Sequence, residues 1–526
     1  MNAFGKRLIA VVVLFLVLVA PNHPQMVSWQ ALAVFPLELP LVLLLLVGLG
    51  GTAFAPIVKG LLVGAMGFVL LLRLADIGTF IAYERAFNLM ADLHFAPAVW
   101  MLLVGSVGWP LAVATVVAGV LAFVAVVLAL WWAASVWAGK SPHRVVRIGA
   151  MVLLIPAVSV VVADVQHAKP SLIPGEAFAA RVGVERSQLM VSTYQDMREF
   201  RTAARLDPMM TQGPFFTGLK GRDVVFIYIE SYGRSSFINP LYAPTHTHRL
   251  ATIEQSLQAV GLAMRSGWTT APMTGGQSWL AHGSVAMGLW LHNQPRYRAM
   301  LASGRQSLFH YANRAGFRTV AIKPAHIMGW PEGAAFGFDA IYNAADLGYK
   351  GPPFNWVTMP DQFTLKAFER LELQQPQRPP LFAQIALISS HAPWVPIPDL
   401  MEWDEIGGGE GFAEWAFAGD PPEVVWRDQD RIREQFRQAI DYSLAVVGSW
   451  AERQATDPPL MIILGDHEPA RFVAGVDSYD VPIHIVGPPD LVARFAPLGW
   501  TEGMVPSAES PPRRMDLLRD ILLKTL

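Results

Sequence analysis

The sequence predicts an α-helical membrane domain of about five transmembrane helices, followed by an α/β domain with a mainly parallel central sheet. Of the 526 residues, 53% are hydrophobic and only 16% are charged, and the mean hydropathy is +0.35. A wholly soluble protein is less apolar than this. The long apolar blocks all lie before about residue 165. Beyond it, short apolar strands alternate with helical patterns, which is typical of a parallel sheet.

Composition also excludes several kinds of site. The chain has no cysteine, so disulfides, thiolate nucleophiles and cysteine-ligated zinc are excluded. Any metal ion must therefore be held by oxygen and imidazole ligands. The 40 basic and 42 acidic residues give a formal charge of -2, and nothing in this balance indicates a nucleic-acid partner.

Five apolar blocks form the predicted membrane domain, residues 1–165. They are Leu8–Ala20, Ala31–Val47, Leu61–Ala75, Trp109–Ala138 and Ile148–Val162. With flanking residues they approach the roughly 20 residues that cross a bilayer. The first block follows Lys6 and Arg7 and has the pattern of a signal peptide, but the later blocks favour an uncleaved helix. Pro36, Glu38 and Pro40 interrupt the second block.

Basic residues near the blocks predict the orientation in the membrane. The positive-inside rule places these residues in the cytoplasm: Lys6, Arg7, Lys59, Lys140, His143, Arg144 and Arg147. Arg73, within the third block, argues weakly the other way. Ala96–Val107 is apolar but too short for a full span, which favours a re-entrant or interfacial segment. Five spans predict a multi-pass plasma (inner) membrane protein whose residues 166–526 are extracytoplasmic.

The polar half is predicted to hold a linker with short helices, residues 166–219, and an α/β domain, residues 220–526. Its predicted strands are Val224–Ile229, Thr319–Ile322, Phe382–Ile388, Pro459–Leu464 and Val481–Val486. Its predicted helices are Arg249–Val260, Ser307–Ala315, Arg431–Ala451 and Met515–Leu526. This alternation predicts one large domain.

Polar residues follow three of these strands at once. Glu230 follows the first, Ser389-Ser390-His391 follows the third, and Gly465-Asp466-His467 follows the fourth. In open α/β sheets, chemistry gathers beyond the carboxyl ends of strands. A single carboxylate at such a position is not specific, because any strand must end in a polar residue. A carboxylate and an Asp-His pair together can supply oxygen and nitrogen ligands to a metal ion.

A glycine-rich stretch, Thr274-Gly-Gly-Gln-Ser278, supplies a candidate nucleophile. Its two glycines allow backbone amides to approach an anion, and a helix beginning at Ser278 would stabilise phosphate oxygens. A metal ion bound to Ser278 Oγ would lower the pKa of the hydroxyl. Thr274 is the rival hydroxyl, and a Gly-Gly turn capped by Ser278 is the structural alternative.

This order of motifs resembles the alkaline phosphatase/sulfatase superfamily. Within it, the chain is most similar to the membrane branch of lipoteichoic acid synthases and phosphoglycerol transferases, with phosphoethanolamine transferases more distant. The resemblance implies a sulfatase-like (alkaline phosphatase-like) domain with one divalent metal ion, zinc or manganese, held by Glu230, Ser278, Asp466 and His467. It also implies that Ser278 is the nucleophile, where the transferases usually have threonine, and that His391 contacts the phosphate or leaving group. His326 and Trp330 fall where the family has substrate contacts.

The function implied is transfer of a phospholipid-derived head group, of phosphoglycerol or phosphoethanolamine type, to a glycan or lipid acceptor of the cell envelope. A phospho-serine would be the intermediate. One alternative is a membrane-anchored hydrolase of phosphate or sulfate esters with the same metal site, and another is a non-catalytic membrane sensor or scaffold. Sulfatase activity is disfavoured because Leu280 and His282 stand where the formylglycine pattern has proline and arginine.

Overall fold

The computed structural model describes residues 2–26, 33–83, 85–139, 143–166 and 174–526. The chain divides into two compact units, Met1–Met197 and Arg198–Leu526. The predicted domain boundaries at residues 165 and 219 remain predictions. Lys140, which the sequence places near a span, lies outside the described residues.

The first unit is helical. Its longer helices are Ala3–Leu18, Glu38–Leu49, Ala55–Tyr83, Ala96–Val107, Trp109–Trp137, Arg144–Gln166 and Phe178–Arg205. By length and composition, three segments of the described chain can cross a membrane, namely Ala55–Ile81, Trp109–Trp137 and Arg144–Gln166. The chain is therefore a membrane protein.

The first two predicted spans are shorter than expected. Their helices have 16 and 12 residues, against the roughly 20 that a span needs. The second begins at Glu38, between Pro36 and Pro40, because proline is tolerated in the first turn of a helix but not further inside it. The predicted number of about five spans thus corresponds to five helices, of which three have full spanning length.

Arg73 has a structural role that explains its position in an apolar helix. Its side chain is 1% exposed and donates hydrogen bonds of 2.8 Å to the carbonyl oxygens of Leu18 and Ala20. These carbonyls lie at the end of the first helix, where the backbone leaves acceptors without partners. Arg73 therefore caps a helix and carries little information about orientation.

The prediction of short helices between residues 166 and 219 is wrong. Among the described residues of this stretch, the structure has a helix of 28 residues, Phe178–Arg205, and a single 3-10 turn, Thr217–Leu219. The helix contains no proline and only one glycine, Gly183, and it is rich in Ala, Arg, Glu, Gln and Met. These residues have high helix propensity. The mixed, charged composition that was interpreted as a linker therefore forms one long helix.

The second unit contains a nine-stranded sheet. The strands are β1 (Val224–Ile229), β2 (Ala263–Thr270), β3 (Arg318–Lys323), β4 (Ala340–Asn343), β5 (Leu381–Ala386), β6 (Leu460–Gly465), β7 (Asp480–Gly487), β8 (Thr501–Glu502) and β9 (Arg513–Arg514). Their order is β4-β3-β5-β1-β6-β7-β2-β8, with β9 beside β2. The first five strands in this order are parallel, whereas β7 is antiparallel to β6 and β2. The predicted α/β fold with a mainly parallel sheet is confirmed.

Strands β2, β4, β8 and β9 are absent from the prediction, and the last two have only two residues each. β2 mixes polar and apolar residues and includes Gly267, which weakens its apolar pattern. The glycine is required by packing, since a Cβ there would lie 2.3 Å from the Trp500 ring. β4 has only four residues, all half-buried.

Helices cover the sheet. The longer ones are Ala243–Ala259, Ser278–Met287, Gln294–Leu301, Leu308–Arg314, Asp361–Phe368, Gln429–Arg453 and Leu518–Thr525. The longest, Gln429–Arg453, begins at an Asp428 cap whose side chain accepts hydrogen bonds from the backbone N–H of Asp430 and Arg431. It buries an apolar face that includes Phe436, Ile440 and Leu444. Because both faces are covered, β1 at the centre is fully buried.

Candidate active site

Strand register brings the predicted strand ends together. β1 lies between β5 and β6, and Ile229 pairs with Gly465. Because the two strands are parallel, the residues that follow them, Glu230 and Asp466, stand side by side. On the other flank, Tyr228 pairs with Ala386, so the segment leading to His391 emerges at the same edge.

Glu230, Asp466 and His467 form one cluster in which each residue offers a ligand atom within 4.8 Å of the others. His467 Nε2 lies 3.1 Å from Glu230 Oε1 and 3.8 Å from Asp466 Oδ2. The side chains of Asp466 and His467 are 1% exposed, and that of Glu230 is 11% exposed. This donor set is a candidate metal site.

Backbone contacts hold these side chains in place. Asp466 Oδ1 accepts hydrogen bonds of 2.8 Å from the N–H groups of Ser231 and His467. His467 Nδ1 lies 2.8 Å from the carbonyl oxygen of Glu468. Since a carbonyl oxygen only accepts, Nδ1 carries the proton and Nε2 is directed at the cluster, as in metal-ligating histidines.

The charges of the cluster are unbalanced. Burial raises the pKa of Asp466 to about 8, and the neighbouring Glu230 carboxylate adds to the rise. Burial alone would lower the pKa of His467, but the Asp466 and Glu230 carboxylates raise it to about 10. Both carboxylates can be ionised together only if positive charge beyond that of His467 lies beside them, and a divalent ion would fit that need.

The structure places Ser278 against this cluster. Ser278 Oγ donates a 2.9 Å hydrogen bond to Glu230 Oε2 and lies 3.3 Å from His467 Nε2. Gly275, Gly276 and Gln277 precede it with φ of 73°, 135° and 67°, left-handed conformations that glycine adopts readily. Helix Ser278–Met287 then begins at the serine.

Thr274, which carries the rival hydroxyl, precedes Ser278 by four residues in the same loop. Its backbone pairs with Glu468, and Gly275 N–H donates a 2.8 Å hydrogen bond to the Glu468 carbonyl. Of the two candidate hydroxyls, it is that of Ser278 that forms a hydrogen bond with Glu230.

His391 is positioned by a turn after β5. The N–H groups of Ile388 and Ser389 donate 2.8 Å hydrogen bonds to Asp361 Oδ1, and Ser390 Oγ donates a 2.7 Å bond to the Glu230 carbonyl oxygen. His391 itself is exposed. Asp361 is a buried support that the sequence did not reveal, because it lies far from both partners along the chain.

Comparison with known proteins identifies the domain that carries this geometry. Residues 222–482 match the family model described as Sulfatase. They form a sulfatase-family domain. The chain is accordingly an enzyme of the alkaline phosphatase/sulfatase superfamily, as the resemblance implies. None of the curated proteins compared with the sequence matches it.

Several solved structures match part of the chain at low similarity. The lipoteichoic acid synthase LtaP from Listeria monocytogenes is 15% identical with a TM-score of 0.36, over 55% of this chain and 70% of that chain. The phosphoglycerol transferase GacH of Streptococcus pyogenes is 11% identical with a TM-score of 0.37, over 64% and 80%. The C-terminal periplasmic domain of EcEptC from Escherichia coli is 15% identical with a TM-score of 0.36, over 58% and 81%. These values are too low to assign an activity.

A cavity of about 420 Å³ in the sulfatase-family domain opens beside the cluster. The predicted site residues that line it are Glu230, Ser278, His326, Trp330 and His391. The ring of His326 meets that of Trp330 edge-on at 5.6 Å. Asp466 and His467 are buried beside Glu230. Thr274 does not line the cavity, although its backbone pairs with Glu468, the residue after His467.

Lys323 and His282 are cavity residues that the sequence analysis did not assign to the site. Lys323 Nζ lies 3.2 Å from His282 Nδ1, and the His282 ring packs 4.0 Å from that of Tyr228. Burial lowers the pKa of Lys323 to about 7, although the Asp466 charge opposes the shift. The signal was available, since Lys323 ends an apolar strand just as Glu230 follows one.

Proposed function

We propose that this protein transfers the phospho-head group of a membrane phospholipid to a cell-envelope acceptor through a covalent phospho-serine at Ser278. The observation that carries the proposal is the position of the Ser278 hydroxyl, which contacts Glu230 and lies 3.3 Å from His467 Nε2 at the wall of the cavity. The head group is of phosphoglycerol or phosphoethanolamine type. The acceptor is a glycan or a lipid.

Glu230, Ser278, Asp466 and His467 would hold one divalent metal ion. Two carboxylates, one imidazole nitrogen and one hydroxyl fit zinc or manganese better than magnesium, because of the nitrogen ligand. When bound, the ion would lower the pKa of the serine hydroxyl and offset negative charge on the phosphate.

In the first displacement, Ser278 Oγ forms a bond to phosphorus while the bond from phosphorus to the diacylglycerol oxygen breaks. Glu230 Oε2 accepts a hydrogen bond from the serine hydroxyl and orients it, and the serine proton passes to water in the cavity. His391 lines the same cavity, and its Nδ1 is held 2.6 Å from the Ala392 carbonyl oxygen. Protonated His391 then gives its Nε2 proton to the leaving oxygen.

In the second displacement, an acceptor hydroxyl attacks phosphorus and the bond to Ser278 Oγ breaks. Neutral His391 takes the acceptor's proton, and Ser278 Oγ takes a proton from water. The protonated histidine and the serine hydroxyl are thereby restored. His326 and Trp330, on the cavity wall, would contact the head group.

The positive-inside rule places the sulfatase-family domain outside the cytoplasm, in a multi-pass plasma (inner) membrane protein. The membrane helices support a lipid donor, since anchoring confines enzyme and donor to the same surface. Each encounter then takes place in two dimensions.

The test is the mass of the peptide that contains Ser278 after the full-length protein has been incubated with phospholipid vesicles. We expect a phosphoglycerol or phosphoethanolamine adduct on the wild-type serine and none in Ser278→Ala. Thr274→Ala is the matched control, because it removes a hydroxyl from the same loop and should leave the adduct in place. Turnover that survives Ser278→Ala but not Thr274→Ala would contradict the assignment of the nucleophile.

The same preparation separates transfer from its alternatives. A transferase forms product only when an acceptor is added, whereas a hydrolase releases the head group, phosphate or sulfate into water without one. Metal analysis before and after Asp466→Ala addresses the non-catalytic scaffold. A wild-type protein that holds no metal under any condition would favour the scaffold.

A further inference from the structure

The loop between His326 and Trp330 forms part of the mouth of the active-site cavity. Both residues line the cavity. Between them, Ile327 and Met328 carry large apolar side chains that are 79% and 68% exposed. Single exposed apolar residues are common on globular surfaces, so the meaning of this pair depends on its position and on its neighbours.

Both ends of this loop are held in place. The His326 N–H donates a 3.0 Å hydrogen bond to the Lys323 carbonyl oxygen, and the Ala344 N–H donates a 2.9 Å bond to the His326 carbonyl oxygen. The Trp330 ring packs 5.3 Å from that of Phe336, and Lys323 Nζ lies 5.2 Å from its centroid. The apolar pair is therefore exposed on a loop with a fixed base.

Trp356, on a neighbouring loop, is 72% exposed. Two hydrogen bonds fix the position of this loop. Thr358 Oγ1 donates a 2.7 Å bond to the Pro324 carbonyl oxygen. Asn355 Nδ2 donates a 3.1 Å bond to the Val395 carbonyl oxygen. These contacts tie the loop to the two chain segments that carry the cavity histidines.

Trp426 lies on the side of His391, which lines the cavity. The Trp426 side chain is 42% exposed, and its Nε1 donates a 3.1 Å hydrogen bond to the Pro393 carbonyl oxygen. Its ring stacks on that of Trp394, with centroids 5.8 Å apart and planes 11° from parallel. Three chain segments at the mouth of the cavity thus carry exposed apolar side chains. The term apolar rim denotes these residues: Ile327, Met328, Trp356 and Trp426.

We propose that the apolar rim docks on the surface of the lipid bilayer, with its side chains inserted at the level of the head groups. Groups of exposed apolar side chains mark contact sites for proteins or membranes. Tryptophan is enriched at the membrane interface, because its ring is apolar and its N–H is polar. The membrane helices of the same chain keep the domain close to such a surface.

The position of the rim favours a lipid surface over a protein partner. A protein bound to the rim would cover the mouth of the cavity, whereas a bilayer contains the donor. The docking surface rests on the proposed function in this respect, since a phospholipid donor places its head group in the cavity of about 420 Å³ and its two acyl chains outside. An apolar rim at the mouth allows the head group to enter while the acyl chains stay out of water.

The experiment measures the depth of the rim in the membrane. Because the chain has no cysteine, a single cysteine can be introduced and spin-labelled in the full-length protein, in vesicles of phosphatidylethanolamine and phosphatidylglycerol. Accessibility of the label to oxygen, which dissolves in lipid, and to a nickel chelate, which stays in water, gives its depth. We expect the labels of Met328→Cys and Trp356→Cys to lie about 5–10 Å below the membrane surface.

Val260→Cys is the matched control. Val260 is an apolar residue of the same domain, 38% exposed, and it lies just before β2. At the start of β2, Ala263 pairs with Gly487, and the preceding Val486 pairs with Met461 near the start of β6. The cavity lies beyond the other end of β6, so the Val260 label should remain in water.

Turnover gives a second readout. The double substitution Ile327→Ser and Met328→Ser removes half of the rim, and neither residue lines the cavity. The initial rate of adduct formation on Ser278 from vesicle lipid should fall about tenfold, because the apolar contact with the bilayer is lost. Val260→Ser should leave the rate at the wild-type level. All three side chains are exposed, so thermal unfolding should not change.

The outcomes separate docking from the function. Rim labels that are in water, or no deeper than that of Val260, would overturn the docking surface. Rim labels shielded from both oxygen and nickel would overturn it too, because they indicate contact with protein. In either case an adduct on Ser278 would leave the phospho-serine function standing. Rim labels at the expected depth with no adduct from either lipid would overturn the function instead, and a double variant as fast as the wild type would overturn the role of the rim in lipid entry.

Discussion

Two buried groups of charged side chains in the same domain differ in their balance. Asp207 and Arg519 form a closed pair, with side chains 1% and 0% exposed and a 2.8 Å contact between Oδ1 and Nη2. The Tyr311 hydroxyl donates a further 3.0 Å hydrogen bond to Asp207 Oδ2. Arg519 Nε also contacts Asp520 Oδ1 at 2.8 Å, and the charge of Arg305 acts on Asp207. Two positive and two negative charges therefore balance within the chain.

Glu230, Asp466 and His467 form the contrasting group. With both carboxylates ionised, the one imidazole cannot balance the cluster even when it is protonated. Burying a charge without a partner costs free energy of folding. In a balanced group, charges of opposite sign on the same chain offset that cost. The cluster of Glu230, Asp466 and His467 can gain the missing positive charge by binding a cation, which indicates a metal-binding site rather than a support for the fold.

Asp466→Asn should have the largest effect on catalysis. The substitution keeps the size of the side chain but removes one charged ligand, so metal affinity falls and turnover should drop by about a thousandfold or more. Turnover and bound metal are measured on the same preparation. An active, metal-loaded Asp466→Asn protein would contradict the ligand assignment, and unchanged thermal unfolding would show that the loss is not one of folding.

Asp207→Ala should show the opposite pattern. It removes the buried counter-charge of Arg519 and leaves only the partly exposed Asp520 paired with it, so the fold should lose about 3 kcal/mol, the lower end of the range for breaking a buried pair. The free energy of unfolding from denaturant titration measures the loss, while turnover per folded molecule should stay at the wild-type level. If turnover per folded molecule fell as far as in Asp466→Asn, the two groups would not differ in role.

His484 is a buried ionisable side chain whose contribution to the free energy of unfolding should depend on pH. It is buried beside Tyr232 and Ser266, and burial lowers its pKa to about 3, against about 6.5 in the unfolded chain. Between pH 6.5 and 3, His484 is protonated in the unfolded chain but stays neutral in the folded protein. Its contribution to stability is therefore complete above pH 6.5 and falls by about 1.4 kcal/mol per pH unit as the pH drops towards 3.

From pH 6.5 to 5 this amounts to about 2 kcal/mol. The wild type and His484→Gln are compared by denaturant titration at several pH values, and the slope of the variant should be shallower by about one proton. Equal slopes in the two proteins would mean that His484 is protonated in the folded state.

Much of the site was predictable because it depends on local pattern. An apolar strand followed at once by Glu230, and another followed by Asp466-His467, are visible in the sequence, and parallel pairing carries both to one edge. The Gly275-Gly276 turn before Ser278 was visible for the same reason. The sequence alone could not choose between Ser278 and Thr274, since the choice depends on how the loop folds back over Glu468.

The remaining parts depend on contacts that are distant in the chain. Asp361 supports the turn before His391 across 27 residues, and Lys323 meets His282 across 41. The long helix Phe178–Arg205 was missed for another reason, namely that its residues are polar on most sides. Periodicity detects a helix with one apolar face, whereas a mostly polar helix has to be inferred from propensity.

The smallest effect is expected where water surrounds the charges. Arg471 and Asp477 form a 3.1 Å ion pair with side chains 62% and 71% exposed. Solvent screens such a pair and both side chains lose freedom in forming it, so Asp477→Asn should change the free energy of unfolding by no more than about 0.5 kcal/mol. Denaturant titration at low and high salt measures it. A loss comparable to that of Asp207→Ala would show that burial is not what separates the charged pairs of this domain, and the argument that the unbalanced cluster needs a cation would lose its basis.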